Sequence, residues 1–265
     1  MTPAIVYLDL DTVPDLARTP IAPHELEQLA AERILLVLCS RRTRAEVEIR
    51  RQALGVFHPF VCEEGAAAFV PERYFGTAIE QARRTCGYEA VEFGAPYGEI
   101  VATLHRAADR LNVGVIGFSD MSVAQVAHEC GMPLLDARLA KLREYGEWFR
   151  LLRANPVAER RLVKQLELAG LTCRSGGAFW QISSASGFGA AITLLTRLYR
   201  LAFGRVTVIG MSGAAGRESL APHVESWLPI EGAAAANAGP PDAAWIPAMR
   251  QQIQTIRERR MEQSA

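Results

Sequence analysis

Two aspartates, Asp9 and Asp11, end a short apolar run that begins at Ile5. The run predicts a buried parallel strand, along which side chains alternate, so both carboxylates should emerge on one side at its carboxyl end. Open α/β sheets place their ligands at that edge. One carboxylate could attack a phosphorus or carbonyl centre while the other transfers a proton to the leaving group. Turn formation or helix capping is the alternative role for such a pair.

A second candidate site follows the next apolar run, Ile34 to Leu38. Ser40 and two arginines come directly after it, and Thr43 can form a capping box with Glu46 at the start of a helix. A hydroxyl, cations and free backbone N–H groups together suit a phosphate. A helix cap beside a solvated basic turn would explain the same residues.

Alternating patterns predict the elements that hold these residues. Helices are expected over His24 to Arg33 and from Thr43 to about Leu54, and a third short strand over Phe60 to Cys62. The alternation favours an α/β fold with a parallel, doubly wound sheet.

The pattern changes near residue 86, where a separate α+β layer of roughly a hundred residues is predicted. Its expected strands are 88–93, 113–117 and 143–149, its helices 97–111, 123–130 and 157–169, and its hairpin 172–174 with 179–183. The first pattern then returns, with a helix over 188–201, strands over 206–210 and 224–230, and a basic helix over 245–261.

Composition narrows the possible partners and location. Lys plus Arg and Asp plus Glu both number 29, so bulk charge does not indicate a nucleic-acid or membrane-surface partner. No apolar run approaches the ~18 residues of a membrane span, and no signal peptide is expected before the first strand. Five cysteines without a C-x-x-C pair predict reduced thiols in a cytoplasmic protein.

Taken in order, these segments resemble the haloacid dehalogenase (HAD) superfamily of phosphohydrolases, and most closely its mannosyl-3-phosphoglycerate phosphatase family. The similar segments are residues 7–11, 38–46, 63–66, 117–121, 143–147 and 239–245. The resemblance implies a Rossmann-like HAD core of residues 1–85 and 186–265, with an inserted α+β cap domain of residues 86–185.

The same resemblance implies roles for individual residues. Asp9 would be the nucleophile, Asp11 the general acid/base, and both would bind Mg²⁺; Ser40 would hold the phosphate of a phosphorylated sugar or glycerate. The further residues implied at the substrate are Arg42, Thr43, Glu63, Gly65, Arg143, Tyr145 and Glu147.

Two family motifs are altered in this chain. Phe188 stands at the position of the third-motif lysine, and Gly210-Met211-Ser212-Gly213-Ala214-Ala215 replaces the acidic fourth motif. Mg²⁺ needs hard oxygen ligands, and Asp9 with a carbonyl near Asp11 is what remains of the family set. Losing one neutralising charge commonly costs ~10²–10³ in rate. We therefore expect ligand binding with phosphoaspartyl hydrolysis weak or lost.

Two alternatives stay open at this stage. An active Mg²⁺-dependent sugar-phosphate phosphatase would need replacement metal ligands, for which Asp15, Glu64 and Glu218 are near the relevant loops in sequence. A non-catalytic regulatory or structural protein, acting with a protein partner or as a homo-oligomer, could use the basic C-terminal helix or Trp148-Phe149 as its contact surface.

Overall fold

A computed structural model describes residues 1–12, 21–153, 155–185, 187–230 and 245–262. Its strands are β1 Ala4–Asp9, β2 Ile34–Cys39, β3 Phe60–Cys62, β4 Ala67–Pro71, β5 Arg83–Thr85, β6 Tyr88–Glu92, β7 Val115–Gly117, β8 Gly146–Leu151, β9 Thr172–Gly176, β10 Phe179–Ser183, β11 Thr207–Ser212 and β12 Ser226–Pro229. Its α-helices are α1 Pro23–Ala31, α2 Arg44–Leu54, α3 Tyr97–Leu111, α4 Val123–Cys130, α5 Leu134–Ala140, α6 Pro156–Leu168, α7 Gly189–Phe203, α8 Arg217–Leu220 and α9 Trp245–Glu262.

The larger sheet has the strand order β12-β11-β1-β2-β3-β4-β6-β5. The first five strands in this order, from β12 through β11, β1 and β2 to β3, pair in parallel. This pairing confirms the predicted α/β, Rossmann-like core. Asp9 pairs with Cys39, and Leu8 pairs with Met211. The carboxyl ends of β1, β2 and β11 therefore meet at one edge.

Both faces of β1 are buried, which explains its continuous apolar sequence. Val6 and Leu8 face the cluster that contains the α9 residues Ile246, Met249 and Ile253, each at most 1% exposed. Ile5 and Tyr7 face the opposite cluster, with Ile192, Leu195 and Tyr199 of α7. The apolar stripe of the C-terminal helix thus packs on its own sheet.

The smaller sheet has the order β7-β8-β10-β9 and is antiparallel throughout. The predicted hairpin is present as β9 and β10, with Gly177 at φ +79° in the turn. One predicted strand is placed differently: β6 pairs with β4 in the larger sheet. The limits 85/86 and 185/186 of the two domains stay predictions.

Strand β4 itself was not predicted from the sequence. It is a short apolar segment whose pairing with β3 and β6 joins residues 88–92 to the larger sheet. Within the described residues, no helix combines the length and apolar character needed to cross a membrane.

Candidate active site

Parallel pairing of β1 and β2 brings the acidic pair next to Ser40. Asp9 is fully buried, and its Oδ1 accepts a hydrogen bond of 2.9 Å from the backbone N–H of Asp11. Asp11 Oδ1 accepts one of 2.9 Å from the Ser40 hydroxyl, and Oδ2 accepts one of 2.5 Å from the backbone N–H of Arg41. The three residues predicted at the phosphoryl centre are therefore in one cluster.

The environment of Asp9 disfavours its charge. Burial, then repulsion from Asp11, raises the pKa of Asp9 from 3.8 to about 6. Among the described residues, Asp9 Oδ2 has no hydrogen-bond partner. The loop after β11 closes on it, since a Cβ atom at Gly216 would lie 2.4 Å from this oxygen.

Asp9→Asn should stabilise the folded protein above neutral pH. Because the folded pKa of Asp9 is raised, the folded protein keeps a proton that the unfolded chain releases, and stability falls as pH rises from 3.8 to about 6. The variant removes that loss of stability, which is roughly 3 kcal/mol at about pH 8.

Urea unfolding at about pH 8 and pH 4 measures the stability gained by Asp9→Asn. The gain should shrink at the lower pH, and exposed Asp109→Asn should show little change at either; a less stable Asp9→Asn at pH 8 would refute the argument.

The donor set at this edge does not fit Mg²⁺. Both oxygens of Asp11 accept hydrogen bonds from protein groups. The hydroxyl of Ser212 accepts a hydrogen bond of 2.9 Å from Trp227 Nε1, and the next three residues carry no oxygen in their side chains. No group of three or more His, Cys, Asp or Glu side chains in the described residues could hold a metal ion.

Of the proposed replacement ligands, the two in the described residues do not complete such a site. Glu64 is 3% exposed and forms an ion pair of 2.9 Å with Arg174, and Glu218 is exposed on α8. Asp15 lies outside the described residues.

Arg42 lies beside the acidic pair at the start of α2. Its backbone N–H donates to Ser40 Oγ at 3.1 Å, and its Nε lies 3.5 Å from Asp11 Oδ1. The predicted capping box of Thr43 and Glu46 is confirmed. The buried Thr43 hydroxyl also donates a hydrogen bond of 3.0 Å to the carbonyl of Leu139 in α5. This bond holds the start of α2 against α5.

Glu63 connects the turn after β3 to the segment before β8. It is 1% exposed, and its carboxylate accepts backbone hydrogen bonds from Glu144 at 2.7 Å and Tyr145 at 3.0 Å. Burial raises the pKa of Glu63 to about 7, against the opposing effect of Arg143. Glu63 also positions Arg143, whose Nη1 lies 3.8 Å from Glu63 Oε2.

Tyr145 and Glu147 point into the protein. Glu147 is fully buried and accepts hydrogen bonds from the Tyr97 hydroxyl at 2.5 Å and the backbone N–H of Phe118 at 3.0 Å. The Tyr145 hydroxyl donates to Glu92 and accepts from Arg83. Neither side chain lines the cavity between the acidic edge and the smaller sheet, so their roles at the substrate stay predictions.

A cavity of about 670 Å³ lies between the acidic edge and the smaller sheet. Among the described residues, the charged side chains that line the cavity are four arginines and the three acids Asp11, Glu46 and Glu129. Arg143 has a side chain only 6% exposed, and its Nε and Nη1 have no hydrogen-bond acceptor among the described residues. The apolar wall includes Phe118, Met132, Trp148 and Phe179; the arginines are Arg41, Arg42, Arg143 and Arg174.

Two arginines of the cavity, Arg41 and Arg174, were not predicted at the site. Arg41 belonged to the basic turn after β2 but had no role of its own. Arg174 lies on β9 opposite Gln181, and both line the cavity. The alternation of side chains along β9 and β10 places Arg174 on one face of the hairpin. It does not indicate which face meets the larger sheet.

Comparison with known proteins identifies relatives that match most of this chain. The chain is 32% identical over 210 residues to the glucosyl-3-phosphoglycerate/mannosyl-3-phosphoglycerate phosphatase of Methanococcoides burtonii, covering 78% of this chain and 77% of that protein. It is 28% identical over 198 residues to the mannosyl-3-phosphoglycerate phosphatase of Pyrococcus furiosus, covering 74% and 78%. No protein-family model matches the chain.

Solved structures support the fold. A phosphatase of the HAD superfamily from Bacteroides thetaiotaomicron aligns with TM-score 0.51 at 11% identity, covering 86% of this chain and 90% of its own. A HAD subclass IIB sugar phosphatase aligns with TM-score 0.50 at 12% identity, covering 85% and 93%. With the sequence relatives, these establish the assignment: the chain belongs to the mannosyl-3-phosphoglycerate phosphatase-like family of the HAD superfamily.

Proposed function

We propose that this protein binds a phosphorylated sugar or glycerate in the cavity, and that its phosphoaspartyl hydrolysis is weak or lost. The observation that carries the proposal is the convergence of arginines with Asp11 in one cavity. The names of the sequence relatives supply the chemical class of the ligand.

The charges of the cavity support anion binding. A phosphate dianion is repelled by nearby carboxylates unless cations offset them. Guanidinium groups bind phosphate and carboxylate in a bidentate geometry, and a phosphoglycerate carries both groups. Arg42 lies at the acidic edge, and Arg143 offers two buried N–H donors without acceptors among the described residues.

Three features argue against efficient hydrolysis. Phosphoryl transfer depends on positioning and on neutralising the transferring group. The position of the family lysine is occupied by Phe188, which is 1% exposed, and the loop after β11 supplies no acid at residues 213–215. Asp9 is also fully buried, with Gly216 against its Oδ2.

Arg42→Ala should weaken binding of mannosyl-3-phosphoglycerate at least tenfold, because charge-assisted contacts contribute about 1.5–3 kcal/mol. Titration calorimetry measures the affinity, and the rise in melting temperature with ligand checks it. Arg161→Ala, an exposed arginine on α6 outside the cavity lining, is the matched control. Absence of binding by mannosyl-3-phosphoglycerate, glucosyl-3-phosphoglycerate and 3-phosphoglycerate would overturn the proposed ligand class.

Phosphate release from the same three compounds, measured with and without Mg²⁺, distinguishes a ligand-binding protein from an active phosphatase. We expect no release above the level of Asp9→Asn. Mg²⁺-dependent release that disappears in Asp9→Asn would establish an active phosphatase with replaced metal ligands. If neither binding nor release is found, a regulatory role through a protein partner or homo-oligomer becomes the better account.

A further inference from the structure

A buried carboxylate, that of Glu64, lies among the arginines of the cavity. Its Oε1 is 2.9 Å from Arg174 Nη2 and 4.0 Å from Arg41 Nε. By the motif resemblance, the family has asparagine at this position. The turn that carries Glu64 adopts positive φ at two successive acidic residues, +45° and +61°, which is uncommon for residues other than glycine. Glu64 therefore makes its ion pairs with the arginines from a backbone conformation that is uncommon for its residue type.

The two arginines come from different sheets and meet at the acidic edge. Arg41 follows β2, and its backbone N–H binds Asp11. Arg174 approaches from β9 across the cavity. Both guanidinium groups thus belong to the cavity that Asp11 also lines.

We propose that Arg41 and Arg174 bind the phosphate of the ligand in place of a divalent cation, with Glu64 as the internal counter-ion that the phosphate displaces. This inference rests on the proposed function. The donor set at the edge does not fit Mg²⁺, whereas guanidinium groups match phosphate oxygens without a metal. Both arginine side chains are partly exposed, at 34% and 43%, so they have access to a ligand in the cavity.

Calorimetric titration of mannosyl-3-phosphoglycerate, in excess EDTA and in saturating Mg²⁺, tests the inference. The affinities in the two conditions should agree within about twofold, because no cation takes part. Arg41→Gln and Arg174→Gln should each weaken binding about tenfold, as expected for loss of a charge-assisted contact. Glu64→Gln should tighten it about tenfold, because it removes the competing charge while keeping the shape. Arg161→Gln on α6 should leave the affinity unchanged.

The outcomes distinguish this inference from the proposed function. Binding that disappears in EDTA and returns with Mg²⁺ would leave the ligand class intact and refute the role of the arginines. Weaker or unchanged binding in Glu64→Gln would refute the counter-ion role. Absence of binding in both conditions would instead refute the proposed function. Melting temperatures of all variants verify folding, and Arg174→Lys, which keeps the charge without the planar fork, should show an intermediate loss.

Discussion

Phe188→Lys should lower the free energy of unfolding by about 3–5 kcal/mol, although the motif resemblance implies a lysine at this position. Phe188 is 1% exposed and belongs to the core cluster of Tyr7, Ile192 and Leu195. The variant loses the packing of an aromatic ring and places an ammonium group among apolar side chains, where a charge is costly. The lysine is therefore expected to damage the core before it can assist chemistry.

Urea unfolding of the wild type, Phe188→Lys and Phe188→Leu measures this effect. Leucine keeps the apolar character and much of the volume, so its loss should stay below about 1.5 kcal/mol. If Phe188→Lys is as stable as Phe188→Leu, the lysine must reach a polar environment, and the inference that this position has become part of the core is wrong.

Gly65→Ala should destabilise the protein by roughly 3 kcal/mol or more, because it combines backbone strain with a steric clash. Gly65 has φ +88°. A Cβ atom there would lie 2.2 Å from the carbonyl oxygen of Gly187 and 2.9 Å from the Cα of Phe188. Both contacts are with backbone, which cannot rotate away as a side chain can. The substitution must separate the turn after β3 from the chain that leads into α7.

Gly76→Ala is the matched control, since it separates strain from clash. Gly76 has a similar φ of +80°, but a Cβ atom there would meet no described heavy atom within 4 Å. Its loss should therefore be about 1 kcal/mol. Thermal unfolding of both variants gives the comparison, and equal losses would show that the close approach at Gly65 contributes nothing. Gly65→Ala should also weaken ligand binding, because the same turn carries Glu63, which positions the cavity residue Arg143.

The sequence alone predicted the parallel strands of the larger sheet and the proximity of the acidic pair to Ser40. Strands β1, β2 and β11 are continuous apolar runs, and a parallel sheet covered on both faces requires that pattern. The polar residues that directly follow such strands must meet at one edge, which is why Asp9, Asp11 and Ser40 were predicted together. The capping box at Thr43 was also predictable, because it depends on residues three apart.

The tertiary structure decided which distant side chains share the cavity. Arg174 and Arg41 are brought together by the packing of a hairpin against the edge of another sheet, and no local pattern encodes that approach. Alternation along a strand defines two faces without saying which one meets a neighbour. For the same reason Glu147, predicted at the substrate, is found accepting hydrogen bonds inside the protein. Contacts between residues far apart in the chain depend on how the layers pack, and that packing is a property of the whole fold.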